Sequence, residues 1–138
     1  MTGKNKNKCK ILPPPPPPEM KIIRTNPETK VEKISNNTCM VYSSEDIRIK
    51  PLTGIPIRLG IKFNVPENCF VLFQDIPEYV LRADVHVHPS TMMVLPSFEK
   101  EMYIIMKNDG NEESVIRKGN KLVKLLILKS EIINIEVE

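Results

Sequence analysis

IPIRLGIKFNV (residues 55–65) alternates strictly: Ile55, Ile57, Leu59, Ile61, Phe63 and Val65 are separated by Pro56, Arg58, Gly60, Lys62 and Asn64. Successive strand side chains point to opposite faces, so this period of two predicts a strand with one buried and one wet face. Shorter runs of the same kind surround it: KIIR, DIRIK, CFVLF, YVLRADVHV, EMYIIM, ESVIRK, KLVKLLIL and INIEV. Turn-forming clusters separate them, among them NPET, PENC, HPST and NDGN. No stretch predicts an amphipathic helix and no internal repeat is visible. Many short, evenly spaced strands predict an all-β sandwich or barrel, with a jelly roll among the options.

At 138 residues the chain suits one core, and its 41% hydrophobic and 27% charged residues are those of a globular protein. No apolar run approaches the roughly 20 residues of a spanning helix, and the basic start MTGKNKNKCKIL leads into no signal-like apolar stretch. These features predict an intracellular protein of a reducing compartment. Three cysteines, Cys9, Cys39 and Cys69, form no C-x-x-C pair, which argues against disulfides and a zinc knuckle. A net charge of +3 is too mild to point to nucleic acid, and the richness in Ile, Lys and Asn suits an AT-rich genome such as that of a virus or parasite.

The first nineteen residues differ from the rest: lysines at 4, 6, 8 and 10, then six prolines from Pro13 to Pro18. Proline fixes φ and lacks an amide proton, so the run predicts a polyproline II rod in a disordered tail, with the barrel domain spanning 20–138. Lys10, Leu12, Pro13, Pro16 and Glu19 are the candidate partner-binding residues. Lys10 with Pro13 and Pro16 fits a basic-x-x-Pro-x-x-Pro ligand for an SH3 domain. Leu12, the prolines and Glu19 suit an EVH1 domain, and bare polyproline suits profilin. The alternative use is a stiff spacer of ~3.1 Å per residue that holds a solubilising basic tail off the domain.

Over most of its length, from about Lys21 to the C-terminal strand, the sequence resembles the trimeric dUTPase family. MKIIRTNPETKVEKI is similar to that family's opening strand and loop, and YSSEDIRIKPLTGIPIRLGIKFNVPENCF to the strands that follow. EMYIIMKNDGNEESVIRKGNKLVKLLIL is similar to the late strand–turn–strand segment with its Gly turn at Gly119. The resemblance implies a dUTPase-like jelly roll, a homotrimer, and a C-terminal strand exchanged between subunits; Ile133, Ile135 and Val137 alternate in EIINIEVE as such a strand requires.

The chemistry that the resemblance implies is missing. Hydrolysis of a magnesium triphosphate needs hard oxygen ligands, phosphate donors and a base for water. Met40 stands where the first motif carries Asp, and a thioether is a poor magnesium ligand. The Pro-Arg-Ser-Gly motif aligns with Gln74, Asp75, Ile76, Pro77 and Glu78. Pro96 falls near the water-activating Asp, Phe98 near the Tyr of the same motif, and Lys124 at the Gln of the fourth. The Gly-rich fifth motif has no counterpart before INIEVE ends. Met40, Asp75, Pro77, Pro96, Phe98 and Lys124 are therefore read as degenerate active-site positions on a retained scaffold.

No catalytic residue, metal or cofactor is expected, and the expected function is that of an oligomeric structural or protein-interaction module, plausibly viral. The alternatives are a divergent dUTP-type pyrophosphatase using Asp75, Asp84, Glu99 or Glu101, and a virion building block. His86 and His88 share a strand face with Asp84, opposite Val85 and Val87, and are read as a polar edge rather than a metal pair or an acid sensor. Met92, Met93, Met102 and Met106 are read as core filling rather than an adaptable contact surface.

Overall fold

In the computed structural model the described residues are 11–17, 19–89, 92–96, 98–131 and 133–138. Lys10 and the other tail lysines lie outside them, whereas Leu12, Pro13, Pro16 and Glu19 lie within, all exposed. Twelve strands and one short helix follow in order: β1 (Lys21–Arg24), β2 (Lys30–Ser35), β3 (Thr38–Tyr42), β4 (Ile47–Ile49), β5 (Thr53–Arg58), β6 (Ile61–Asn64), β7 (Cys69–Gln74), α1 (Pro77–Ala83), β8 (Val85–His88), β9 (Met92–Val94), β10 (Tyr103–Asn108), β11 (Ser114–Ile116) and β12 (Lys121–Lys129).

All strand pairings are antiparallel. The largest sheet runs β2-β3-β12-β7-β9, a three-stranded sheet runs β5-β10-β8, and β1-β6 and β11-β4 form two-stranded ribbons. Every sheet sends apolar side chains into one shared core, from Val41 and Leu125 of the large sheet to Ile104 and Val87 of the three-stranded one and Phe63 of a ribbon. Phe63 and Phe73 meet edge to face with centroids 6.2 Å apart. The all-β jelly-roll expectation holds.

The alternating run 55–65 is two strands in two sheets, because Gly60 turns the chain at φ 72°. Its alternation survives the turn, and Ile57, Leu59, Ile61, Phe63 and Val65 are all buried. Pro56 sits in β5, an edge strand whose other side needs no amide donor. The expectation of no helix is corrected by α1: Pro at its start pre-sets φ, Glu78 stands in its first turn and Arg82 in its last. YVLRADVHV is thus half helix and half strand, with Asp84 in the left-handed region at the junction. Three strands have no counterpart among the expected runs, namely β2, β3 and β9. Among the described residues of 131–138 there is no strand, although INIEV alternates as one.

Turn chemistry carries the chain from β11 in a ribbon to β12 in the large sheet. Gly119 has φ 87°, its N–H donates to Ser43 O at 2.8 Å, and Ser43 N–H donates to Asn120 O at 2.8 Å. Nothing would touch a Cβ there, so the backbone angle alone requires glycine. In β12 the register slips between Lys121 and Val123, and this bulge lets both Leu122 and Val123 face inward.

Candidate functional site

The outer face of the large sheet carries a transverse row of side chains. Register pairs Glu32 with Met40, Met40 with Lys124, and Lys124 with Gln74. Their chain neighbours Val41, Val123, Leu125 and Phe73 point the other way into the core. Alternation therefore forces Met40 and Lys124 outward together, beneath the segment that leaves β7 and begins α1. That segment roofs a cavity of about 210 Å³ lined by Met40, Asp75, Ile76, Pro77, Glu78, Lys121 and Lys124.

Four of the six positions read from the sequence as degenerate thus meet: Met40, Asp75, Pro77 and Lys124. Pro96 and Phe98 do not line this cavity; they follow β9 at the far edge of the sheet. Lys121 was not singled out from the sequence. It joins the lining next to the bulge in β12, a feature that the residue pattern does not signal.

Each side chain in the cavity has an assigned structural use or the wrong chemistry. Met40 is buried and forms an apolar part of the wall. Asp75 accepts a hydrogen bond of 2.5 Å from Val87 N–H, so its carboxylate ties the end of β7 to β8. Ile76 is buried. The Tyr79 hydroxyl donates to Lys121 O at 2.5 Å, pinning α1 to β12, and burial followed by the nearby Glu78 carboxylate pushes its phenol up, which keeps it a donor. Lys121 and Lys124 supply cations, opposed by Asp75 and Glu78. The set offers no arginine fork, no hydroxyl and no cluster of free oxygens for magnesium.

The carboxylates of the alternative enzyme reading do not converge. Asp75 lines the cavity, but Asp84, Glu99 and Glu101 do not. Glu101 is held by Arg58 Nε at 2.8 Å and by the Thr25 hydroxyl. Asp84 belongs to a cleft between α1 and residues 110–114.

No protein-family model matches the chain, and no curated protein does. Solved structures do. A mutant dUTPase from phage phi11 of S. aureus superposes with a TM-score of 0.75 over 88% of this chain and 97% of that one, at 13% identity. A mutant of the Staphylococcus bacteriophage 80alpha dUTPase with dUpNHpp gives 0.75 over 87% and 96%, at 12% identity.

The chain has a dUTPase fold. At this identity the likeness is one of backbone fold. The alternation and the glycine turn at Gly119 expected from the sequence are both present.

The histidine pair divides. Val85 and Val87 are buried as expected, and His86 is half-buried while His88 is exposed. His86 Nε2 lies 2.5 Å from Asp109 Oδ2, and this contact, ahead of other effects, raises the His86 pKa and lowers that of Asp109. Asp109 was legible only as part of the NDGN turn. Of the methionines, Met102 and Met106 fill the core, whereas Met93 is half exposed, which corrects the core-filling expectation for that residue. Among the described residues no helix is long and apolar enough to cross a membrane.

Proposed function

We propose that this protein is a non-catalytic member of the dUTPase-fold group that works as an oligomeric protein-interaction module. The observation that supports this best is the Met40–Lys124 row: at the first and fourth motif positions a thioether and an ammonium stand side by side, next to an Asp75 already bonded to Val87 N–H. Neither group ligates magnesium or activates water.

In this reading residues 20–138 are the barrel domain, and residues 1–19 are an arm that offers Leu12, Pro13, Pro16 and Glu19, with Lys10, to an SH3, EVH1 or profilin-type groove. The barrel assembles as a homotrimer by exchange of its C-terminal strand. The setting is the cytoplasm or nucleus of a virus-infected cell, or the virion itself. The 80alpha dUTPase of like fold is described as controlling transfer of virulence genes, so the fold serves a task besides hydrolysis in that protein.

The test is dUTP turnover with magnesium, followed by pyrophosphate release, beside calorimetric titration of a non-hydrolysable dUTP analogue. The expected result is neither turnover nor heat of binding. Turnover at an enzyme-like rate would overturn the proposal and favour the divergent pyrophosphatase, with Lys121 and Lys124 as phosphate contacts.

A further inference from the structure

A second cluster of side chains lies away from the Met40–Lys124 cavity, on the outer face of the three-stranded sheet. Asp84 ends α1 with φ 54° and ψ 40°, and its own N–H is tied to Val80 O and Tyr79 O. Asp109 N–H donates to Asp84 O at 2.9 Å, extending a ladder that pairs Val85 with Asn108 and His86 with Lys107. The two aspartates therefore face each other across the strand pair, with His86 one pleat further on. One ligand atom from each of Asp84, His86 and Asp109 lies within 4.8 Å of the others.

The histidine is oriented as a ligand would be. Its Nδ1 sits 3.3 Å from Val87 O, and its Nε2 faces Asp109 Oδ2 at 2.5 Å. With Nδ1–H donating to the carbonyl, the proton shared between Nε2 and Asp109 Oδ2 sits where a metal ion would displace it and take both ligands, with Asp84 within reach. Lys107 Nζ, 3.4 Å from Asp109 Oδ1, offsets part of one carboxylate charge from the side. The Asp84 carboxylate has no ion-pair partner among the described residues and is exposed, so it is free to swing inward. Ligands on a tetrahedral zinc lie about 3.3 Å apart, which rotation of exposed Asp84 and half-buried Asp109 can reach.

We propose that Asp84, His86 and Asp109 form a binding site for a divalent transition-metal ion of the zinc class. One imidazole with two carboxylates suits zinc, whereas magnesium and calcium favour all-oxygen sets. Three protein ligands leave a fourth position for water, beside the cleft of about 670 Å³ that Asp84 shares with residues 110–114. The ion joins the C-terminal end of α1 to β8 and to the turn after β10, and so stabilises the folded chain by mass action.

Zinc is titrated calorimetrically into the full chain after chelator treatment, in the presence and absence of excess magnesium. The proposal expects one zinc per chain, unaffected by magnesium, a higher melting temperature with zinc, and an X-ray absorption spectrum with only nitrogen and oxygen neighbours. His86→Gln, Asp109→Asn and Asp84→Asn should each weaken binding by at least the roughly 10–100-fold that even outer partners of a metal site are worth. Cys39→Ala should leave it unchanged. Asp84 is exposed, so its variant keeps the test valid if either of the others folds poorly. Absence of zinc uptake, uptake that survives all three substitutions, or sulfur neighbours in the spectrum would overturn the assignment.

Discussion

Asn108 shows how much a single polar residue carries in this barrel. It is fully buried, its Nδ2 donates to Ile49 O at 2.9 Å and to Glu112 O at 2.8 Å, and its Oδ1 accepts from Gly110 N–H at 2.9 Å. One side chain thus satisfies three backbone groups and fixes the turn after β10. Asn108→Ala leaves the carbonyl of buried Ile49 unpaired and unties the turn at Gly110 and Glu112, and should cost about 1–3 kcal/mol in urea unfolding. A change below the error of the extrapolation would show that the turn reorganises freely. Gly60 is the second such residue. Its φ of 72° is costly for any side chain, and an added Cβ would lie 2.9 Å from Asn26 Cβ and collide with the Thr29 hydroxyl. That hydroxyl already donates to Leu59 O at 3.2 Å, so it has nowhere cheap to move. Gly60→Ala should lower stability by about 1–3 kcal/mol, read as a fall in melting temperature with the native circular dichroism retained. In the sequence Gly60 looks like one more wet-face residue of a strand; the sign of φ is not encoded in a pattern of apolar spacing.

At the scale of elements, alternation was legible wherever one face of a strand meets the core and the other meets water, as in β5, β6, β10 and β12. It failed where neighbouring positions were buried on both faces or exposed on both. β3 buries both Met40 and Val41, Met40 on the outer face under the cavity and Val41 in the core, and β2 is exposed along most of its length. The helix α1 was hidden because it has no buried residue to set a period of 3.6. The candidate site was legible in part for the same reason: motif order gives Met40, Asp75 and Lys124 as equivalents, but their meeting depends on strand register. Elements are also joined by charge. Glu101, just before β10, meets Arg58 at the end of β5 and Thr25 after β1. The Arg58 hydrogen bond, then that of Thr25, holds the Glu101 carboxyl below its ordinary value. A carboxylate with a lowered folded pKa stabilises the fold above its unfolded value of about 4.3, and that contribution disappears as pH falls through the folded value. Melting temperatures of the natural chain and Glu101→Gln should therefore differ at neutral pH and converge in acid. A gap that persists at pH values below both pKa values would assign the effect to packing instead.

For the whole molecule the open question is where the last segment goes. β12 ends at Lys129, and Ser130 N–H donates to Asn68 O at 2.7 Å, the last backbone tie to the barrel among the described residues. Beyond it Ile133, Ile135 and Val137 are 76, 83 and 90% exposed. Burial of each such side chain is worth about 1.5–3 kcal/mol, so three on one face of a strand-like segment favour a partner surface over water. A closed ring of identical chains provides that surface for every copy at once and leaves no free end. We therefore expect light scattering to give three times the chain mass for the full protein, and a chain ending at Ser130 to fall to the monomer mass. Because the core of each barrel is complete without residues 131–138, the shortened chain should keep its β-sheet circular dichroism while melting at a lower, concentration-independent temperature. A full-length monomer would mean that the segment folds back on its own barrel, and a trimer that survives the truncation would place the interface on the sheet faces instead.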